Sequence, residues 1–261
     1  MRRWINTGKD RMSGSGAWGI LALIAVWEIG VKVSGIKPYI LPAPSRVLIS
    51  LFQSFPLVMK HTRVTLYESL VGFMAAVVFS FVLALAMDSM PVLKRAMYPI
   101  LIISQTIPII TVAPLIIIWF GYDLLPKVII AALVCFFPIA VSFIGGLEAA
   151  DREMYDLLRS MGASKFQIFR ILKLPGAMPS LFSGLKIAAA YSIMGAVIGE
   201  WLGAKAGLGE FMRRSMHSFA VDKTFAAILV ITLLSLGVFR VITFLEDNLM
   251  PWTRFSNIKN E

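Results

Sequence analysis

Charged residues, cysteine and histidine are scarce in this sequence, and each scarcity argues against a class of protein. Only 15% of the 261 residues are charged and 58% are hydrophobic, whereas a globular domain is about one quarter charged. This balance disfavours a soluble enzyme and a disordered tail protein. Cys135 stands alone in an apolar run, which excludes an intrachain disulfide and disfavours a secreted disulfide scaffold. His61 and His217 have no carboxylate or cysteine at ligand spacing, so we predict no metal site.

Nucleotide-binding motifs are missing as well. Residues 14–19 spell G-x-G-x-x-G, but they follow no strand and open an apolar helix, so they do not form a dinucleotide loop. The sequence has no G-x-x-x-x-G-K-[ST] loop to cradle ATP phosphates. No apolar run carries a series of carboxylates or histidines suited to a proton relay. We therefore expect no cofactor and no catalytic residue, and any ATP-driven process needs a separate ATPase subunit.

The abundant apolar residues fall into six runs of membrane-spanning length, at 17–33, 65–87, 98–120, 128–147, 184–203 and 224–245. Each spanning helix needs about 20 residues, so the loops are too short for a second folded domain. The sequence predicts an all-α fold, a polytopic membrane protein with about six transmembrane helices in one domain over residues 1–261. We expect it in the cell inner or plasma membrane.

The net charge of +10 indicates orientation rather than binding to nucleic acid, because Lys and Arg collect in cytoplasmic loops. We expect the N and C termini to be cytoplasmic. This orientation puts five basic residues of the loop 148–183 on the inner side, together with Arg254 and Lys259 of the tail 246–261. The outer loop 34–63 contains four prolines. We expect these prolines to break regular structure there.

The inner loop 148–183 predicts two short helices joined by a turn. Asp151 caps the first helix, which runs through Met161, and Gly162 follows in the left-handed position common at helix ends. The second helix begins with a capping-box pattern of Ser164 and Gln167.

The second helix carries Phe166, Phe169 and Leu172 among basic residues. We expect it to stop at Leu174 and Pro175, because proline clashes with the preceding turn. The product is a compact cytoplasmic projection with exposed apolar side chains. From composition alone, such a helix either lies on anionic lipid or docks on a protein partner.

An ordered pattern in this loop favours a protein partner. It consists of Asp156-Leu157-Leu158, then Gly162, then Leu172, Leu174 and Pro175. The pattern resembles the signature loop of permease subunits of binding-protein-dependent ABC importers, which reads Glu-Ala-Ala, three residues, Gly, nine residues, Ile, one residue, Leu-Pro. Gly162, Leu174 and Pro175 fit, whereas Asp156 and the leucines depart from it. The resemblance implies a loop that couples the permease to its ATPase through Asp156, Gly162, Ala163, Phe166, Phe169, Leu172, Leu174 and Pro175.

Strings outside the loop resemble one branch of these importers, which transports nitrate, sulfonates, taurine or pyrimidine precursors of thiamine. They are Leu-Pro-Ala-Pro-Ser-Arg-Val at 41–47, Thr-Ile-Pro at 106–108 and Gly-Glu-Trp-Leu-Gly-Ala at 199–204. Within the branch, Gly-Glu-Trp leans toward importers of hydroxymethylpyrimidine. Aliphatic sulfonate, taurine and nitrate remain the alternatives for a small polar solute.

The resemblance also implies a type I permease fold and a set of partners. These are two ATP-binding subunits, a periplasmic or lipid-anchored substrate-binding protein that delivers solute near residues 203–223, and a second copy of the chain in a homodimer. ATP binding would close the ATPases, pull the helices around Gly162 and open the pathway outward. The permease itself would catalyse no covalent reaction.

The fifth apolar run holds candidates for the pathway or for packing. Gly195, Gly199 and Gly203 recur every four residues, a spacing that lets helix backbones approach closely. They form a packing seam or line the pathway, where a twin helix of a dimer would face them. Glu200 stands beside them near the outer end, and we expect solvation at the outer interface because a charge at mid-bilayer is costly.

The third run contains Pro108 and Pro114, with Gln105, Thr106 and Thr111 nearby. Prolines free backbone carbonyls, which membranes tolerate in buried or water-lined places. These polar residues therefore line a pathway or surround a packing kink.

Two rival classes fit less well. A secondary transporter or channel would need intramembrane ionisable residues or inverted repeats, and a membrane-embedded enzyme would need a polar catalytic cluster. The sequence shows little of either.

Overall fold

The computed structural model describes residues 7–251, with side chains from residue 18 onward. Arg254 and Lys259, which support the predicted orientation, lie outside the described residues, as does most of the tail 246–261. The described chain has helices and no strand, so the predicted all-α fold is confirmed. The helices are α1 (Thr7–Ser34), α2 (Pro44–Gln53), α3 (Phe55–Ser89), α4 (Pro91–Ser104), α5 (Ile109–Phe120), α6 (Leu124–Glu148), α7 (Arg152–Ser160), α8 (Lys165–Ile168), a π turn (Phe169–Lys173), α9 (Leu174–Trp201), α10 (Leu208–His217) and α11 (Val221–Leu249).

Helices of membrane-spanning length dominate the described chain. By length and hydropathy the spanning helices are α3, α6, α11 and the continuous helix Lys165–Trp201, and α4 with α5 passes the same test as a bent pair. The chain is therefore a multi-pass membrane protein. The span predicted at 17–33, within α1, and the cytoplasmic position of both termini stay predictions.

The predicted third span, 98–120, is wrong as a single helix. The chain turns by 102° between α4 and α5. A bend of about 20° already counts as a sharp kink in a helix. Pro108 is the N-cap residue of α5 and has no N–H to continue a helix. Pro114, by contrast, is accommodated inside α5. The result is a broken span or a re-entrant segment.

The expectation that prolines break the outer loop 34–63 is wrong beyond residue 43. Pro44 occupies the first turn of α2, and Pro56 is the second residue of α3. The first turn of a helix has no intrahelical partner for its N–H groups, so proline fits there without losing a hydrogen bond. Both prolines therefore begin helices instead of interrupting them.

The second helix of the inner loop does not stop at Leu174 and Pro175 as expected. It passes through the π turn directly into α9, giving one helix of 37 residues, Lys165–Trp201. The Leu174 N–H donates to the Phe169 carbonyl, five residues earlier. This wider turn ends where Pro175 lacks an N–H, so the ring is accommodated without a break.

The described residues form two compact units. The first comprises the described parts of Met1–Met59 together with Phe211–Leu229, and the second those of Lys60–Glu210 and Val230–Glu261. Within the first, Glu28 of α1 accepts hydrogen bonds from the Ser45 N–H (2.9 Å) and hydroxyl (2.8 Å) at the start of α2. Glu28 also pairs with Lys32 at 2.7 Å. This carboxylate fixes α1 to the N-terminus of α2.

The second unit is organised around α6 and α9. Glycines permit their close approach: a Cβ built on Gly184 would lie 2.7 Å from the Pro138 carbonyl oxygen, and one on Gly195 would lie 2.8 Å from the Ala131 Cα. The Cys135 thiol, fully buried, donates to the Ala188 carbonyl at 3.3 Å. Small residues in this way bring two membrane helices into backbone contact.

Candidate functional site

The loop 148–183 is built from two capped helices. The Asp151 carboxylate accepts hydrogen bonds from the N–H groups of Glu153 and Met154. Gly162 ends α7 with φ +83°, a conformation that costs little only for glycine. Ser164 and Gln167 form the reciprocal capping box at the start of α8. The predicted caps and turn are confirmed, and they give the loop a fixed shape.

Exposed apolar side chains stand on both helices of this loop, and we call this set the coupling face. It comprises Met154, Leu157 and Met161 of α7 and its end, with Phe166 of α8, and Met161 and Phe166 are 74% and 71% exposed. Sequence reasoning identified Phe166 but missed the three residues of α7. Their spacing of three and four residues was the available signal, because it places them on one helix face.

Other predicted coupling residues of α8 and the π turn are less exposed than Phe166. Phe169 is partly buried against the core, so the expectation that it is an exposed contact is wrong. Leu172 is half-buried too. Phe166 and Phe169 are three residues apart and line one cavity, whereas Ile168 between them is buried. Phe166 is thus the exposed aromatic ring of this helix.

The remaining predicted coupling residues lie on α7, in the turn and at the start of α9. Asp156 is exposed on α7, whereas Ala163 is half-buried, as are Leu174 and Pro175 at the start of α9. Of these four residues, only Asp156 is therefore fully accessible to a partner.

Ion pairs attach the loop to neighbouring helices. Lys173 of the π turn pairs with Asp88 near the end of α3 at 2.7 Å, and its ammonium lies 5.8 Å from the ring centre of Tyr155. Lys94 of α4 pairs with Glu148 at the end of α6 at 2.8 Å. Sequence reasoning missed these contacts, because the partners are far apart along the chain. They hold the π turn to the end of α3, and α4 to the end of α6 where the loop begins.

The bend between α4 and α5 borders a cavity of about 510 Å³. Gln105 and Pro108 line it, together with Tyr191 of α9. Thr106 and Thr111 do not line it: their hydroxyls donate to the Ile103 and Pro108 carbonyls, each at 2.7 Å. Of the three polar residues predicted to line a pathway, only Gln105 therefore lies at this cavity.

The predicted glycine series divides between two settings. Gly195 and Gly199 face α6, where a Cβ on Gly199 would lie 3.1 Å from the Lys127 Cα. Gly203 lies beyond the end of α9 with φ +155°, and its Cβ would meet the Tyr122 ring at 2.5 Å. The three glycines therefore do not share one helix face, because the helix ends at Trp201.

Glu200 is fully buried, so the expected solvation at the outer interface is wrong. Its Oε1 accepts a hydrogen bond from the Thr65 hydroxyl at 2.7 Å, and its Oε2 accepts one from the Gly209 N–H at 2.7 Å. The Leu208 N–H donates to the Thr65 oxygen at 2.8 Å, and the Gly207 N–H donates to His61 Nδ1 at 3.0 Å. We call these contacts of Thr65, His61 and Glu200 with residues 207–209 the loop latch.

A buried ion pair adjoins the loop latch. Lys127 Nζ of α6 lies 3.4 Å from Glu68 Oε1 of α3, and both side chains are more than 90% buried. Burying charges is costly unless they are paired and hydrogen-bonded, so this pair joins α3 to α6. Among the described residues, no group of three or more His, Cys, Asp or Glu side chains is placed to hold a metal ion.

Comparison with known proteins gives the family. The profile of the family described as "Binding-protein-dependent transport system inner membrane component" matches residues 69–251. The chain belongs to this family. As an ABC importer permease it is a multi-pass protein of the cell inner membrane, and it works with ATPase and substrate-binding partners. Permease subunits of this kind are generally non-catalytic, because ATP hydrolysis belongs to the separate ATPase subunits.

Relatives of this permease fall in the nitrate, sulfonate, taurine and thiamine-precursor branch. The formylaminopyrimidine transport permease protein ThiX of Halalkalibacterium halodurans is 39% identical, over 90% of this chain and 94% of its own. The riboflavin transport system permease protein RibX of Chloroflexus aurantiacus is 33% identical, over 89% and 88%. The taurine transport system permease protein TauC of Escherichia coli is 29% identical, over 90% and 88%.

A solved structure shares the fold of this permease. The crystal structure of an amino acid ABC transporter with histidines matches with a TM-score of 0.63 at 16% identity, covering 77% of this chain and 97% of that one. At this identity the match bears on the fold alone.

Proposed function

We propose that this permease forms the translocation pathway for a pyrimidine precursor of thiamine and couples that pathway to a pair of ATPase subunits through the coupling face. The observation that carries the coupling is the exposed, rigidly capped apolar surface around Phe166. A large apolar side chain contributes about 1.5–3 kcal/mol when it is fully buried in a partner. Leu157, Met161 and Phe166 thus supply enough contact energy for a specific dock.

The long helix Lys165–Trp201 supplies the mechanical connection. Its 37 residues span about 55 Å at 1.5 Å per residue, from the coupling face to Glu200. A displacement of the coupling face therefore moves the loop latch as part of one rigid element. Closure of the ATPases would pull the inner end of this helix, and the pathway would change from inward-open to outward-open.

The substrate assignment rests on similarity. This chain is 39% identical to a permease named for formylaminopyrimidine and 29% identical to one named for taurine. The greater similarity favours a pyrimidine over a sulfonate. Aliphatic sulfonate, taurine and nitrate are the alternatives, and each would use the same pathway and the same coupling.

We further propose that two copies of this chain form a homodimer that carries two ATPases, since one chain contains one coupling loop. A substrate-binding protein, periplasmic or lipid-anchored, would deliver the solute to the side of residues 203–223. Gly195 and Gly199 act in packing in this arrangement, because α6 of the same chain already covers them.

The test is ATP-driven uptake in proteoliposomes that contain the permease, its ATPases and the binding protein. We expect uptake of labelled hydroxymethylpyrimidine that excess taurine does not suppress. Phe166→Asp should abolish ATPase binding and uptake, whereas Phe52→Asp, at a similarly exposed ring of α2, should retain both. Normal coupling in Phe166→Asp would refute the docking proposal, and taurine uptake in place of pyrimidine uptake would refute the substrate.

A further inference from the structure

The cavity at the bend between α4 and α5 has the size and lining of a small-molecule site. Its volume of about 510 Å³ lies within the usual 300–1,000 Å³ of ligand pockets. The wall is mainly apolar, with Phe137, Pro138 and Met194 among its side chains, and its polar side chains come from Ser104, Gln105 and Tyr191. Ligand pockets commonly combine such an apolar wall with a few polar groups that orient the ligand.

The broken backbone leaves carbonyl acceptors without backbone donors beside this cavity. Among the described residues, no backbone N–H donates to the carbonyls of Gln105, Thr106 or Ile107, which lie between α4 and α5. Gln105 Nε2 makes one long bond of 3.4 Å to the Leu101 carbonyl. At membrane depth, non-helical backbone is tolerated only where it is buried in protein or lines a water-filled space. Gln105 and Ile107 both line the cavity, so we expect a polar ligand or water there to satisfy their carbonyls.

The charge of the lining limits the class of ligand. None of the described residues that line the cavity is Lys, Arg, His, Asp or Glu. A sulfonate or nitrate held there would lose its hydration without a cationic partner, which is costly in an apolar setting. An uncharged heterocycle needs only hydrogen bonds and ring contacts, and the rings of Phe137 and Tyr191 supply the latter.

We propose that this cavity is a binding site within the permease for the transported molecule, and that it selects an uncharged, planar nitrogen heterocycle of the aminopyrimidine class. Ring amino groups would donate to Gln105 Oε1 and the free carbonyls of the bend, and the ring would stack on Tyr191 or Phe137. This proposal rests on the proposed function and adds a second selection step after the substrate-binding protein.

The test measures binding without the substrate-binding protein. The full chain, copurified with its ATPases in lipid nanodiscs, is titrated calorimetrically with hydroxymethylpyrimidine and, separately, with taurine. We expect saturable binding of the pyrimidine and none of taurine. Gln105→Ala and Tyr191→Leu should each weaken binding about two- to tenfold, the range for loss of one hydrogen bond or of one ring contact.

Matched controls are available outside the cavity. Gln53→Ala and Tyr67→Leu remove the same groups from exposed positions on α2 and α3 and should leave pyrimidine affinity unchanged. Each variant is checked for monodispersity and for copurification with the ATPases. If Tyr191→Leu fails that check, Tyr191→Phe replaces it, since it keeps the ring and removes only the hydroxyl.

The outcomes separate this inference from the proposed function. Uptake of pyrimidine by the complete transporter, with no binding to the permease alone and normal uptake in Gln105→Ala and Tyr191→Leu, would overturn the cavity site and leave the proposed function standing. Taurine binding as tight as pyrimidine binding would overturn the selectivity. Failure of pyrimidine uptake by the complete wild-type transporter would instead refute the proposed function.

Discussion

The Thr65 hydroxyl of α3 donates to Glu200 of α9 at 2.7 Å across 135 positions of sequence. The same oxygen accepts a hydrogen bond from the Leu208 N–H at 2.8 Å, so one side chain joins two helices and a loop. Glu200 in turn accepts from Gly209. Side chains of α3 and α9 therefore hold the start of α10, where the loop that follows α9 ends.

Replacing Glu200 by Gln should release this loop. The amide can accept only one of the two hydrogen bonds, and its NH₂ would face a donor. Leaving one buried group unsatisfied costs about 1–3 kcal/mol. We expect a lower thermal midpoint and reduced uptake with unchanged ATPase binding. Thr65→Val should have a similar effect, and full uptake in both variants would contradict a role for the loop latch.

Neighbouring glycines on α6 offer a matched test of helix packing. A Cβ on Gly146 would lie 2.8 Å from Ser180 Cβ, whereas one on Gly145 meets no atom within 4 Å. We expect Gly146→Ala to destabilise the protein by about 1–3 kcal/mol through overpacking. Gly145→Ala should be neutral or stabilising by up to about 1 kcal/mol. Urea or thermal unfolding in detergent measures both, and equal effects would contradict the observed contact.

The buried pair of Lys127 and Glu68 predicts an asymmetric response to mutation. Lys127→Met leaves the buried carboxylate without its cation, a loss of about 3–5 kcal/mol. The double variant Lys127→Met with Glu68→Leu should recover most of that stability, because an apolar pair of similar volume replaces the ions. Thermal unfolding of both variants is the measurement. A double variant as unstable as the single one would show that the two side chains act separately.

The pair of Lys173 and Asp88 predicts a defect in coupling. Asp88→Asn removes the charge that holds the π turn to α3, so we expect weaker ATP-driven uptake with ATPase binding retained. Exchanging the charges, with Asp88→Lys and Lys173→Asp together, should restore part of the uptake. A double-mutant cycle on uptake rates measures the interaction, and additive effects of the two substitutions would argue against it.

Sequence reasoning succeeded where the determinants are local. Asp151, Gly162 and Ser164 act on backbone groups within a few residues, so their caps and turn could be predicted. The burial of Glu200 could not, because its partner Thr65 is 135 positions away. The continuation of the helix through Pro175 could not be predicted either. It depends on a π turn, and no established rule predicts a π turn from sequence. The sharp bend at Pro108 was read as a kink for a similar reason: proline shows where a helix is weak and not how far it turns.

The π turn at Phe169–Lys173 also sets a rotational phase. Successive residues of an α-helix are turned by about 100° around its axis, and a π turn holds one residue more than the α-helical turn it replaces. Removing that residue would rotate everything before it relative to α9 by roughly a quarter of a revolution or more. Phe166 would then point away from its present side while Glu200 kept its place in the loop latch. The angular alignment of the two ends of this helix thus depends on a single inserted residue.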